Sequence, residues 1–291
     1  MKKYIFLFVI AASILFSSCD NSTKIAQNSL ASLEITRPKA PKAIGPPRIL
    51  FMGNSQLEYF VSTSTLFQEL CNANNQNINV QELVTMGVPL DKIYETNKTE
   101  ANQNFSNIDK DGNYYDFVVL QESIPIALKD LEKYRNNLKF IVEKIHKNSP
   151  DVAVYIYQET APVAYADPDY KNYYEELRKN AALATAFIKN AGLLRVGDAV
   201  TDAYAGKSGY IYLKNNKDNL RYGKTTLNFL NDGGFLQAVL LYTSIFDKKP
   251  IIPKKLILST GTGDNDNMRK QEVSKAISNS NALLEIAYNN R

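Results

Sequence analysis

The chain has 291 residues, 34 Lys+Arg against 30 Asp+Glu, a formal charge of +4, one His and two Cys. So even a charge balance gives no electrostatic reason to expect a nucleic-acid partner. The absence of a Gly-rich phosphate loop and of any Cys/His cluster with ligand spacing gives none to expect a metal or cofactor.

The chain opens Met1-Lys2-Lys3, runs apolar through residues 5–16 and reaches Leu15-Phe16-Ser17-Ser18-Cys19. A basic start, a short apolar core and small residues before a cut describe an export signal, too short for a stable membrane span. The Leu-Phe-Ser-Ser-Cys ending resembles the lipobox of bacterial lipoproteins. This implies loss of residues 1–18, acylation of Cys19 and an exported, membrane-anchored protein, at the outer membrane, with the periplasmic or surface face left open. Cys71 would then be the remaining thiol, so no internal disulfide could form. Residues 19–47, rich in Asn, Ser, Lys and Pro, read as the lipidated Cys and a flexible tether.

Residues 48–53 form an apolar run between Pro46-Pro47 and Gly53-Asn54, which reads as a strand buried on both faces, with Ser55 at its carboxyl end. A helix over 57–75 follows, then a strand over 78–84 and a loop through Met86-Gly87-Val88-Pro89 into another helix. Residues 97–111 read as helix end and surface loop. Strands are predicted at 115–120, 152–157 and 193–197, and helices at 128–147 and 170–190. A Pro-punctuated loop at 161–169 is long enough to lie over a site. A helix spans 234–246, and beyond Pro250 an extension of unassigned role, residues 251–291, carries a helix at about 267–288. Alternating strands and helices argue for a three-layer α/β/α sandwich around a parallel sheet of about five strands, with Ser55, Gly87 and Gln121 following strands along one edge.

Five blocks stand in order: Arg48–Ser55 ending Gly-Asn-Ser; Gly87; Asp116 through Leu120-Gln121-Glu122-Ser123; Val196-Gly197-Asp198-Ala199; and Leu230-Asn231-Asp232-Gly233-Gly234-Phe235-Leu236. Together they resemble the SGNH (GDSL-type) hydrolases over residues 48–250, closest to a branch reading Gly-Asn-Ser and Leu-Gln-Glu. The resemblance implies a flavodoxin-like SGNH hydrolase fold, Ser55 as nucleophile, and an oxyanion cradle made by the Ser55 and Gly87 N–H groups and the Gln121 side-chain amide, where the family usually has Asn. It also exposes a departure. The family's Asp and His fall on Thr226 and Phe229, and Phe can neither take nor give a proton.

The one His, His146, falls at the far end of the 128–147 helix, ~25 Å from the edge that carries Ser55. Glu122, Glu159, Asp198, Asp202, Asp232 and Lys224 are other conceivable bases. The 18 tyrosines, several of them around residues 155–174, suit either packing or sugar binding. The expected function is an esterase-like lipoprotein of acylated carbohydrate or other small esters, weak or inactive as a pseudoenzyme. The competing readings are a glycan-binding lipoprotein and an assembly scaffold.

Overall fold

The computed structural model describes residues 35–42, 44–107, 112–223, 227–261 and 267–291; the expected signal, Cys19, Lys224 and Thr226 lie outside them. Five parallel strands make the central sheet: β1 (Arg48–Gly53), β2 (Asn79–Val84), β3 (Phe117–Leu120), β4 (Ala153–Tyr157) and β5 (Ala191–Leu194), in the order β2-β1-β3-β4-β5.

Strand alternation sends neighbouring side chains to opposite faces, and both faces are apolar. Ile49, Phe51, Val119, Tyr155 and Tyr157 join one core, while Leu50, Met52, Val118, Leu120 and Ile156 join the other. The helices sort accordingly. After α1 (Ser55–Glu58), α2 (Thr63–Ala73) packs Leu66, Phe67 and Leu70 on the first face. On the second lie α3 (Leu90–Thr96), α4 (Lys98–Ser106), α5 (Ile124–Lys129), α6 (Leu131–Ile145) and the inner side of α7 (Tyr170–Thr185). The first face is completed by α8 (Val196–Tyr204), α9 (Asn231–Phe246) and the carboxyl-terminal elements. This is the expected three-layer sandwich.

Local chemistry explains where the elements differ from expectation. The helix predicted over 57–75 breaks in two because the Ser62 hydroxyl accepts from the Thr65 N–H and caps a fresh start. Residues 98–106, predicted as helix end and loop, form α4, whose Ala101 and Phe105 are buried. The strand predicted at 193–197 ends at Leu194, and the following residues wind into α8.

The tail is no edge decoration. Its predicted helix at 267–288 is instead β11 (Met268–Glu272), α10 (Val273–Ala276) and α11 (Ser280–Asn289), with β11 antiparallel to β10 (Lys255–Ser259). Leu256, Leu258, Val273, Leu283 and Ile286 are all buried in the first core. α9 is apolar on all sides for that reason: it lies between the sheet and the tail.

The tether expected to run to residue 47 is also docked on the domain from Ile35. Pro38 is buried against Gly192, Lys39 and Asn190 exchange backbone–carboxamide bonds of 2.9 and 2.8 Å, and Arg37 pairs with Asp247 at 3.1 Å.

Candidate functional site

Strand order dictates where a ligand fits. β1 is flanked by β2 and β3, so the chain leaves β1 toward one face and returns from the other, opening a crevice at the carboxyl ends of β1 and β3. Asn54-Ser55 follow β1 and Gln121-Glu122 follow β3, at that crevice.

The elbow at Asn54 is held by a reciprocal pair. The Asn54 N–H donates to Gln121 Oε1 at 2.7 Å, and Gln121 Nε2 donates to Asn54 Oδ1 at 2.9 Å. Gly53 is glycine because of that approach: a Cβ there would stand 2.6 Å from Gln121 Oε1 and 2.7 Å from Leu57. Asn54 Nδ2 reaches the Val88 carbonyl at 3.5 Å, so the Gly87 turn lies beside the elbow. Gly87 has φ +72°, a left-handed conformation natural only to glycine. The structure therefore brings Ser55, Gly87 and Gln121 to one place.

Their uses differ. The Ser55 and Gly87 N–H groups make no hydrogen bond among the described residues, and Ser55 is half-buried at the crevice. Gln121 is fully buried. Its Nε2 faces Asn54, Glu159 Oε1 at 3.0 Å and the Glu122 carbonyl at 3.1 Å. Two hydrogens facing three acceptors leave none for an oxyanion. The third donor of the expected cradle is committed to the protein's own interior.

The Ser55 hydroxyl makes no hydrogen bond to a side-chain base among the described residues. Phe229 sits in a two-residue strand, β9 (Asn228–Phe229), antiparallel to β8 (Arg221–Tyr222), and is buried with its ring against Gly233. Glu122 accepts from the Leu90 and Ser123 N–H groups and from Asn137. Asp198 is bound by Gln158, Tyr174 and Arg195; Asp202 by Lys207 and Asn290; Asp232 by Tyr210 and the Ser278 N–H. His146 caps the end of α6 that adjoins the amino ends of the strands, opposite Ser55. Burial, helped by the nearby Lys189 charge, holds its pKa below the usual value.

Glu159 is the unusual acid. It is 1% exposed, its Oε1 accepts from Gln121, and its Oε2 has no partner among the described residues. Burial drives its pKa far above the usual carboxylate range, and Glu122 is raised for the same main reason. Such groups keep their protons in the fold and shed them in the unfolded chain. Their contribution to stability is full below the unfolded carboxyl range and declines as pH rises. We expect unfolding free energy to fall as pH rises above the unfolded carboxyl value of about 4.3. Glu159→Gln should remove about 1.4 kcal/mol per pH unit of that slope, read by urea titration at several pH values. An unchanged slope would mean that Glu159 does not hold its proton.

The 161–169 loop is pinned. Arg221, 2% exposed, donates through Nη1 to Thr160 Oγ1 and the Ala161 carbonyl, through Nη2 to the Val163 carbonyl, and through Nε to the Tyr204 hydroxyl. That hydroxyl donates at 2.6 Å to Asp218, linking the buried cation to a carboxylate. Tyr165 stacks on Tyr204 at 4.8 Å between centroids and meets Tyr170 and Tyr212 edge-on. Tyr155 and Tyr157 spend their hydroxyls on the Ser244 carbonyl and Gln237. The tyrosines around 155–174 thus pack and brace. Nothing in the sequence marks Arg221, since an isolated Arg in a polar stretch reads as a solvated charge.

A 320 Å³ cleft opens beside the Gly87 turn, lined by Glu58, Glu82, Glu100 and Met86 among others, with no basic residue. Among the described residues no group of His, Cys, Asp or Glu could hold a metal ion, and no helix is long and apolar enough to cross a membrane.

No family model matches the chain, and no curated protein does. Among solved structures it is similar to a DUF4886 family protein from Bacteroides uniformis, at 13% identity and TM-score 0.57 over 84% of this chain and 93% of that one. It is also similar to a lipase/acylhydrolase from Enterococcus faecalis, at 16% identity and TM-score 0.45 over 71% of this chain and 100% of that one. A third is a family 3 carbohydrate esterase from Clostridium thermocellum, at 12% identity and TM-score 0.45 over 69% and 96%. The likeness is one of fold alone, and it rests on the first.

Proposed function

We propose that this is an SGNH-hydrolase-like domain, exported and anchored through an acylated Cys19, whose ester-hydrolysing chemistry is weak or absent. One observation carries the reading: the Ser55 hydroxyl has no hydrogen-bonded base among the described residues, and a buried Phe229 stands where the family has its His. The ordered sequence blocks support the kinship, as does their convergence on the β1/β3 crevice. The acids beside Gly87 disfavour an anionic ligand, which fits an uncharged ester such as an acylated sugar.

Hydrolysis of short-chain p-nitrophenyl esters and acetylated oligosaccharides by the native protein should stay within about tenfold of the Ser55→Ala variant, since a serine without its base loses several orders of magnitude. A native rate about a thousandfold above that variant would mean that a substitute base exists. Installing Thr226→Asp and Phe229→His together should raise the rate, because the Ser55 and Gly87 amides remain free. No gain in a folded double variant would mean that commitment of Gln121 has dismantled the cradle as well.

A further inference from the structure

A cavity lies at the opposite edge of the sheet, below the amino ends of the strands. It measures 640 Å³, within the range of small-ligand sites. Its charged lining is Lys39, Lys42, Arg48, Asp116, Asp151 and Lys189. The two acids are in use. Asp116 accepts the Arg48 N–H at 2.7 Å, and Asp151 accepts from Asn113 at 3.2 Å. Arg48 is held as well, donating to the Tyr114 carbonyl and lying 4.5 Å over the Tyr114 ring. The ammonium groups of Lys39, Lys42 and Lys189 make no ion pair or hydrogen bond among the described residues.

The backbone that carries Lys39 and the Lys189 segment is held by the fold. Pro38 and Pro41 restrict the backbone of the amino-terminal segment, Pro38 is buried against Gly192, and the Lys39–Asn190 bonds fix Lys39 beside Lys189, one residue before Asn190. Four cationic residues against two carboxylates give the cavity a net positive lining, and an excess of one sign on a concave site raises the local concentration of anions. The two edges of the sheet are opposite in sign, acidic beside Gly87 and basic here.

We propose that this cavity binds a phosphate-bearing anion, the phosphate oxygens being held by Lys39, Lys42 and Lys189. The phosphate could come from a soluble phosphate ester or from a phospholipid headgroup. The second source suits the topology, because the chain reaches this edge from its amino-terminal side. The site stands on its own residues and does not depend on acylation of Cys19 or on chemistry at Ser55.

The test titrates the full-length protein in neutral detergent with inorganic phosphate and glycerol 3-phosphate. The protein is then reconstituted in phosphatidylcholine vesicles with and without phosphatidylglycerol, and labelling of the three lysines by an amine reagent is read by mass spectrometry. Saturable binding of the soluble anions, weakened about tenfold or more in Lys42→Glu/Lys189→Glu, would identify a soluble ligand. Lysine labelling suppressed only when phosphatidylglycerol is present, and restored in a single Lys42→Glu variant read at Lys39 and Lys189, would identify a headgroup. Absence of both, or binding that the double variant leaves unchanged while its unfolding curve matches the native one, overturns the proposal.

Discussion

Gln121→Ala is expected to lower unfolding free energy by about 3–5 kcal/mol, because it strands several buried polar groups at once, each worth roughly 1–3 kcal/mol. The Asn54 N–H and Oδ1 lose their partner, and Glu159 Oε1 loses its donor. Urea unfolding at one pH measures this directly, and the proton linkage of Glu159 should change with it, since Gln121 is the one donor to that carboxyl among the described residues. The result also decides what the residue is for. An amide aimed at a substrate oxyanion would cost little stability when removed, so a loss below about 1 kcal/mol would return Gln121 to the cradle.

The second large effect is expected at Arg221. Replacing it with Met keeps much of the side-chain length but leaves Thr160, the Ala161 and Val163 carbonyls and the Tyr204 hydroxyl without their donor. Relief of burying a cation offsets part of this, and a net loss of about 3 kcal/mol remains. The specific signature is local. The 161–169 loop should become open to limited proteolysis in Arg221→Met while the rest of the domain resists it. Uniform loss of protection would mean that Arg221 supports the core at large, and unchanged resistance would mean that the loop is held by the tyrosine stack alone.

At the crevice, some of the expected site groups stand free and others are engaged in the fold. Ser55 and Gly87 still present free N–H groups at the crevice. Gln121 has turned inward to fasten the elbow, and Phe229 has joined the first core. The 161–169 loop, placed where a lid would lie, is fastened by a buried cation.

Much of the fold was legible in the sequence because buried parallel strands write themselves as unbroken apolar runs, as in Ile49-Leu50-Phe51-Met52 and Phe117-Val118-Val119-Leu120. Their alternation with helices gave the sandwich, and Ser55 and Gln121 could be set on one edge because each directly follows such a run. The single His and its place at the far end of its helix were legible too, because they follow from residue type and helical rise alone. Boundaries controlled by a single cap were not, as at Ser62. Nor was the tail, whose apolar residues are buried only because α9 offers them a second face.

What the sequence determined by itself was the layering, the edge that bears the serine and the single histidine far from that edge, all of which follow from residue type and period along the chain. Tertiary structure alone decided which way the Gln121 amide points, that Arg221 is a buried brace, that burial raises the Glu159 pKa, and that three lysines line one cavity. Those facts depend on hydrogen-bond partners brought together from distant parts of the chain, 38 residues apart for Gln121 and Glu159, 61 for Arg221 and Thr160 and 151 for Lys39 and Asn190, and on the water that such meetings exclude.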